Sequence, residues 1–171
     1  CTNFGCNAKI LLDGPAELIH HLHHYHGIGI DETPNIIWPE LMAYKHKVID
    51  PLSEGLAHML SVDGIDIISG HAKFTDVKTL MVNDITYQAD KFVIATGQKP
   101  AKLPSPGNEL LHDSSDFLEL SEMPHSIVFI GAGYIAMEFA SIARAAGSEV
   151  TIVEYSDHAL SGFDSEYSQE V

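Results

Sequence analysis

Two cysteines and a glycine-rich turn are the residues of this chain whose types and spacing could do chemistry. Cys1 and Cys6 are its only two cysteines, and the apolar run Ile10-Leu11-Leu12 that follows predicts the start of a helix. The positive end of a helix dipole favours a thiolate over a thiol, so at least one sulfur is expected to react near neutral pH. Such a pair could cycle between dithiol and disulfide, and it would then need a source of electrons.

The turn Gly131-Ala132-Gly133-Tyr134-Ile135-Ala136 predicts where that source, a nicotinamide dinucleotide, would bind. A β-prone run precedes it at residues 127–130, a helical pattern follows at residues 134–146, and a second strand is expected at residues 149–153. In such a βαβ unit Gly131 makes the tight turn, Gly133 lets the backbone approach the pyrophosphate, and Ala136 allows close helix–strand packing. The amides that begin the helix would bind the phosphates.

The acidic residue after the second strand predicts which dinucleotide is used. Glu154 lies 21 positions after Gly133, where a carboxylate is expected to hydrogen-bond the ribose hydroxyls. A 2′-phosphate would meet its negative charge, and no Lys or Arg occurs from Glu154 to the end of the chain. NADH is therefore favoured over NADPH. An ordinary βαβ turn that binds no cofactor is the alternative.

The remaining elements are read from periodicity and from turn residues. A helix is predicted over residues 8–26 with an interruption near Gly14-Pro15. A second helical stretch is predicted over residues 34–61, and Pro51 should bend or break it. Residues 63–96 read as short strands, including Ile65 to Ile68, in an antiparallel meander that returns to a buried strand at residues 91–95. Residues 98–124 form a connection with one short helix, begun by a capping serine, around residues 115–120.

Composition limits the partners. The chain has 171 residues and a net charge of −15, with nine Lys and Arg together, which argues against nucleic-acid and anionic-membrane partners. No signal peptide or membrane-spanning apolar run is found, so a cytoplasmic location and a transient catalytic disulfide are expected.

His20 and His24 have metal-ligand spacing, but no further ligand completes a site, and a polar helix end is favoured. Trp38 could line a site, although core packing is favoured there.

With these residues in hand, the chain resembles the flavoprotein disulfide reductases that carry two dinucleotide-binding domains. Glutathione reductase, dihydrolipoamide dehydrogenase and mercuric reductase belong to that family. The resemblance rests on four motifs in the family's order. They are the cysteine motif Cys1 to Cys6, the turn Gly70-His71-Ala72, the segment Val93-Ile94-Ala95-Thr96-Gly97 and the nucleotide motif Gly131 to Glu138.

The resemblance implies a fold class and a domain order. The fold would be α/β, built from parts of two Rossmann-like dinucleotide-binding domains. Residues 1–97 would be a partial FAD-binding domain with the antiparallel meander, residues 98–125 a linker, and residues 126–171 a partial NAD(P)-binding domain. His71 and Ala72 would contact the adenine side of FAD, and Ala95, Thr96 and Gly97 would close the flavin domain.

The resemblance also implies a role for each reactive residue. Cys1 would attack the substrate disulfide. Cys6 would lie next to the flavin, form the charge-transfer complex with it and pass electrons. Lys9 would lie near the flavin and pair with Glu138, while Tyr134 would cover the nicotinamide pocket. Tyr155 and Ser161 stand where NADPH-using relatives carry arginines, which agrees with the argument from Glu154.

Several family parts are expected to lie outside this sequence. They are the first glycine fingerprint for FAD, a later Gly-Asp motif, and the interface domain that would make the parent a homodimer and supply an acid–base pair. The chain alone is therefore expected to be inactive. The substrate stays open between glutathione disulfide, a lipoyl group, another small disulfide and mercuric ion. A dinucleotide-binding module without turnover is the alternative from a different functional class.

Overall fold

The computed structural model describes residues 3–170, so the prediction for Cys1 lies outside the described residues. The described helices are α1 (Cys6–His24), α2 (Trp38–Ile49), α3 (Leu52–Val62), α4 (Ser114–Phe117), α5 (Tyr134–Ala145) and α6 (Ser165–Ser168). The described strands are β1 (Lys73–Asp76), β2 (Thr79–Val82), β3 (Ile85–Gln88), β4 (Ser126–Ile130) and β5 (Glu149–Val153). Two units group these elements: Cys1–Pro51 with Pro104–Val171 form the first, and Leu52–Leu103 the second. The mixed α/β class expected from the sequence is confirmed.

The first unit is organised around the helix that begins at Cys6. Ala8, Leu12, Ala16 and Ile19 form one buried stripe along α1, at the three- and four-residue spacing of a helix face, and α1 packs on α5 and α2. The interruption predicted near Gly14-Pro15 is wrong, because α1 runs through Pro15. Proline removes one backbone hydrogen bond from a helix, and packing of this stripe holds the helix together across the gap.

The βαβ unit predicted from the glycine turn is confirmed. Strands β4 and β5 are parallel, with Ile127 opposite Val150 and Ile130 opposite Val153. Helix α5 connects them and buries Phe139 and Ile142. The first turn of this helix therefore lies at the carboxyl end of β4, where α/β folds place their ligands.

The short helix α4 begins differently from the prediction. Its N-cap is Asp113 rather than a serine, and the Asp113 carboxylate accepts the backbone N–H groups of Ser115 and Asp116. The Asp116 carboxylate in turn accepts the N–H of Asp113, which completes a capping box. Asp and Ser are about equally favoured at the N-cap, so residue type alone could not place this cap.

The second unit contains α3 and a three-stranded antiparallel sheet in the order β1-β2-β3. The break at Pro51 is confirmed, since α2 and α3 are separate helices. The turn between β2 and β3 is also confirmed: Asn83 and Asp84 both have positive φ, 50° and 63°, as a two-residue hairpin loop requires.

Two predicted strands of the second unit are wrong. Residues 65–68 and 91–95 have no regular secondary structure, and Val93 and Ile94 are 92% and 74% exposed. A buried strand needs neighbouring strands to satisfy its N–H and C=O groups. In the described part of this unit, β1, β2 and β3 pair only with one another, so neither apolar segment has a sheet to join.

Candidate functional site

The helix that begins at Cys6 also carries an ion pair to α5. Lys9 Nζ lies 2.7 Å from Glu138 Oε1, and the two side chains are 21% and 37% exposed. This contact joins the first turn of α1 to the middle of α5, as the resemblance implies. Cys6 is exposed and stands three residues before Lys9, a spacing that places two side chains on one helix face.

The surroundings of Lys9 keep its ammonium group charged. The hydrogen bond to Glu138 raises the pKa of Lys9 above its ordinary value, and partial burial opposes that rise. The negative charges of Glu138 and Asp13, and that of a Cys6 thiolate, raise it further.

The glycine turn is open on the side where a ligand would approach. Gly131 has φ +95°, a conformation that favours glycine, and its N–H donates to the carbonyl of Val153 at 2.7 Å. A Cβ built on Gly131 or Gly133 would meet no atom within 4 Å. Gly133 is the N-cap of α5 and offers no side chain to the first amides of the helix. These amides and the open turn fit the diphosphate of a dinucleotide.

Glu154 is held against the same turn. Its carboxylate accepts the backbone N–H of Ala132 through Oε2, and those of Tyr155 and Ser156 through Oε1, both at 2.8 Å. The backbone amides of Ser156 and then of Ala132 are the main causes that hold the pKa of Glu154 below its ordinary value, and partial burial opposes them. The carboxylate therefore carries a full negative charge at neutral pH, at the edge of the turn.

The other residues expected at the nucleotide differ in their exposure. Ala132 is buried, whereas Tyr134 and Ile135 are 57% and 41% exposed and Tyr155 is fully exposed. The Tyr134 ring meets the ring of Phe163 edge to face, with centroids 6.4 Å apart.

A loop that the sequence did not single out also contacts the turn. The N–H of Leu160 donates to the carbonyl of Ala132 at 2.8 Å, and Phe163 packs on Tyr134. Together with Glu154, this loop leaves both backbone groups of Ala132 paired. No motif in the sequence marks Leu160 or Phe163, because their contacts depend on how the loop after β5 folds back.

The residues expected at the flavin lie in the second unit. His71, Ala72, Ala95, Thr96 and Gly97 are exposed and lie outside the strands. Gly70, just before His71, has φ +158°, and a Cβ there would come within 2.5 Å of Val82 Cγ1. A larger residue could not occupy this position without moving the side chains of Val82 and Asn83. Gly97 has φ +77° with open space around it.

The first unit contains a buried lysine whose polar contacts the sequence does not predict. Lys45 is 1% exposed and donates to the carbonyl of Leu118 at 2.6 Å and to Glu119 Oε1 at 2.8 Å. Trp38 lies two turns earlier on the same face of α2, in the core, as the sequence favoured. Its indole N–H donates to the carbonyl of Leu120 at 2.7 Å. Lys45 occurs at a core-facing spacing in the sequence, but its partners lie more than 70 residues later.

The histidine-rich end of α1 forms ring contacts. The rings of His20 and His24 meet edge to face with centroids 4.9 Å apart, and the nearby His24 Nδ1 lies 3.0 Å from the carbonyl of His20. Within residues 3–170, no group of three or more His, Cys, Asp or Glu side chains is arranged to hold a metal ion.

Over the same described residues, none of the helices combines the length and apolarity needed to span a bilayer.

Comparison with known proteins places these features in a family. Residues 1–171 match the family profile described as pyridine nucleotide-disulphide oxidoreductase. The chain is 34% identical over 168 residues to a dihydrolipoyl dehydrogenase of Thermus scotoductus, covering 97% of this chain and 36% of the relative. It is 33% identical over 177 residues to the dihydrolipoyl dehydrogenase of Mycoplasma genitalium, covering 99% of this chain and 39% of the relative. It is also 31% identical over 179 residues to that of Bacillus subtilis, again covering 99% and 39%. The chain thus spans little more than a third of the length of these relatives.

Proposed function

The chain belongs to the pyridine nucleotide-disulphide oxidoreductase family, and on that premise we propose that it is part of an NADH-linked flavoprotein disulfide oxidoreductase. The net reaction would be NADH + H⁺ + R–S–S–R giving NAD⁺ and two thiols, or its reverse. Two electrons and two protons reduce one disulfide, so one NADH and one proton balance each turnover. A lipoyl group is the favoured substrate, because the relatives named above are dihydrolipoyl dehydrogenases. Glutathione disulfide is the second candidate.

The observation that carries this proposal is the packing of the cysteine helix on the nucleotide helix. Helix α1 begins at Cys6 and α5 begins at the glycine turn, and both belong to the first unit. They pack on each other and are joined by the 2.7 Å contact between Lys9 and Glu138. A thiol and a dinucleotide turn held by two contacting helices suit a single electron relay.

In this relay the residues of the chain bind, orient and charge-balance the reacting groups. Cys1 would exchange with the substrate disulfide, and Cys6 would receive electrons within the protein. Lys9, kept protonated by Glu138, would offer a cation to the cofactor. FAD, when bound, would supply the hydride acceptor that links a two-electron nicotinamide to a thiol pair.

The dinucleotide would be NADH rather than NADPH. Gly131, Gly133 and the first amides of α5 would hold the diphosphate, with Tyr134 and Ile135 beside it. Glu154 stays ionised and its partners are backbone amides, so its charge would repel a 2′-phosphate. Residues 154–171 contain neither Lys nor Arg to offset that repulsion.

The proposal also includes a set of residues for the FAD site and a division of the chain into domains. His71, Ala72, Ala95, Thr96 and Gly97 would contribute to the FAD site, with residues 1–97 and 126–171 as parts of the flavin and nicotinamide domains around a linker at 98–125. The open backbone at Gly97 suits close approach of a ligand. The parent protein would act as a homodimer on a small disulfide.

Anaerobic NADH titration of the full-length protein tests this function. We expect FAD to copurify and NADH to produce a long-wavelength absorption band that is lost in Cys6→Ser. Turnover with lipoamide should exceed that with glutathione disulfide. A protein that binds NADH but holds no flavin would instead be a binding module without turnover, and the proposal would be wrong.

A further inference from the structure

A loop that the proposed relay does not use lies against the glycine turn. It comprises residues 156–164, between β5 and α6, and we call it the β5–α6 loop. It leaves the end of β5 and returns to the turn, where the N–H of Leu160 donates to the carbonyl of Ala132 at 2.8 Å. Ala132 precedes the N-cap of α5, so this carbonyl lies outside the helix. The loop therefore holds the turn through a backbone contact of its own.

The backbone conformation of Leu160 marks the point at which the loop is fastened. Leu160 has φ +54°, a left-handed conformation that is unfavourable for a residue with a Cβ atom. Such conformations persist where the surrounding contacts impose them, and they cluster at functional sites. Here both backbone groups of Leu160 are engaged, because its carbonyl also accepts the N–H of Phe163 at 2.9 Å.

Phe163 is the side chain that the loop brings to the turn. Its N–H is bonded to Leu160, and the next residue, Asp164, begins α6 by accepting the N–H of Glu166 at 3.0 Å. The backbone is thus held on both sides of the ring. The Phe163 ring meets the Tyr134 ring edge to face, with centroids 6.4 Å apart and planes at 79°, which is the geometry of an attractive aromatic pair.

Tyr134 is a side chain whose position such a contact can decide. It is the first residue of α5, directly after Gly133, and it is 57% exposed. An exposed side chain changes rotamer within nanoseconds, and a ligand that immobilises it must offset the lost freedom. A neighbouring ring that already restricts the tyrosine reduces this cost. Tyr134 stands beside the open side of the glycine turn, so its restriction would matter for a ligand bound there.

From these contacts we propose that Phe163 is a positioning residue of the dinucleotide site, which holds the Tyr134 ring beside the glycine turn before the cofactor arrives. This role rests on the proposed function of the turn as an NADH site. Phe163 acts through Tyr134 and need not touch the cofactor itself. Because Phe163 is also more than half exposed, the effect belongs to the lower part of the range for aromatic pairs. Loss of the ring should weaken NADH binding about two- to fivefold.

Fluorine nuclear magnetic resonance of the full-length protein, labelled with 3-fluorotyrosine, tests the ring contact without any cofactor. Tyr134→Phe identifies the signal of Tyr134. We expect Phe163→Leu to shift and sharpen this signal, because the neighbouring ring is lost and the tyrosine moves faster, and we expect Phe163→Tyr to leave it near its original position. A Tyr134 signal that is the same in Phe163→Leu and in the unchanged protein would overturn the proposal.

NADH binding and turnover test the positioning role. Phe163→Leu should raise the Kd and the KM for NADH about two- to fivefold with a smaller change in kcat, and Phe163→Tyr should restore both. Tyr167→Ala is the matched control, because it removes an exposed aromatic ring from the adjacent helix α6 and should leave both constants unchanged. An equal loss in Tyr167→Ala, or a fall in kcat at constant KM, would contradict the role.

A double-mutant cycle shows whether Phe163 acts through Tyr134. If it does, NADH binding to the combined variant Tyr134→Leu, Phe163→Leu should be no weaker than binding to Tyr134→Leu alone. Additive losses would mean that Phe163 supports the site only by holding the loop, and the proposal would be wrong. If the unchanged protein bound no NADH, the proposed function would fail together with this role. Equal NADH affinity of Phe163→Leu and the unchanged protein would overturn the positioning role alone.

Discussion

The ion pair between Lys9 and Glu138 makes a prediction that can be measured without any cofactor. Three variants form a double-mutant cycle: Lys9→Met, Glu138→Gln and the two together. Both replacements keep the approximate length of the side chain and remove its charge. The measured quantity is the coupling energy. It is the difference between the change in unfolding free energy of the double variant and the sum of the changes in the two single variants.

The structure sets the size of this coupling energy. Fully exposed ion pairs contribute about 0.2–1 kcal/mol, while hydrogen bonds to charged groups inside proteins contribute about 1.5–3 kcal/mol. The Nζ–Oε1 distance is 2.7 Å, but Glu138 is 37% exposed and water screens part of the attraction. We therefore expect about 1 kcal/mol, near the upper limit for a surface pair.

The pH dependence has a definite sign. Glu138 raises the pKa of Lys9 in the folded chain, so folding takes up or keeps a proton at this group. The stabilisation is fully present at pH values below the pKa of an unfolded lysine, and it is lost as the pH rises through the higher pKa of the folded state. The coupling energy should be constant from pH 7 to pH 9 and should fall above the ordinary lysine pKa.

Urea unfolding followed by tryptophan fluorescence provides the assay. Trp38 is the single tryptophan, is 3% exposed and belongs to the unit that contains both Lys9 and Glu138. As a control, Lys47→Met removes an exposed lysine and should change the unfolding free energy by less than about 0.5 kcal/mol. A coupling energy near zero at pH 7 would refute the reasoning that this contact fastens the cysteine helix to the nucleotide helix.

Three further predictions concern the nucleotide site and the core. In the full-length protein, Glu154→Ala combined with Tyr155→Arg should raise the ratio of kcat/KM for NADPH over NADH, and an unchanged ratio would argue against the ribose contact of Glu154. Lys45→Met should lower the unfolding free energy by about 1–3 kcal/mol, because it leaves the buried carbonyl of Leu118 without its donor. Urea unfolding measures this loss. A loss below about 0.5 kcal/mol would show that the contact is dispensable. Gly131→Ala should cost about 1–3 kcal/mol through its φ of +95° and should weaken NADH binding in calorimetry, whereas unaltered stability would mean that the turn relaxes freely.

Local patterns predicted the parts of the fold whose cause is local. The glycine turn at Gly131 needs only its own φ and the strand and helix beside it, so its βαβ unit could be read from the sequence. Pro51 ends a helix for steric reasons within one turn, and Asn83-Asp84 adopt the positive φ values of a hairpin loop. In each of these positions the deciding interaction lies within a few residues.

Features that depend on distant partners could not be read in this way. The apolar residues Val93 and Ile94 suggested a buried strand, but a strand forms only where another strand supplies its hydrogen bonds. The sequence gives Lys45 the pattern of an ordinary helix lysine, because the Leu118 carbonyl that accepts its hydrogen bond lies 73 residues away.

The central claim is that the cysteine pair and the dinucleotide turn serve one electron relay. Counting reactive thiols before and after anaerobic addition of one equivalent of NADH to the oxidised full-length protein tests it most directly. The account predicts that two thiols appear per subunit, and that Cys6→Ser and a glycine-turn variant each abolish the increase. NADH oxidation without new thiols, or an increase that persists in Cys6→Ser, would contradict it.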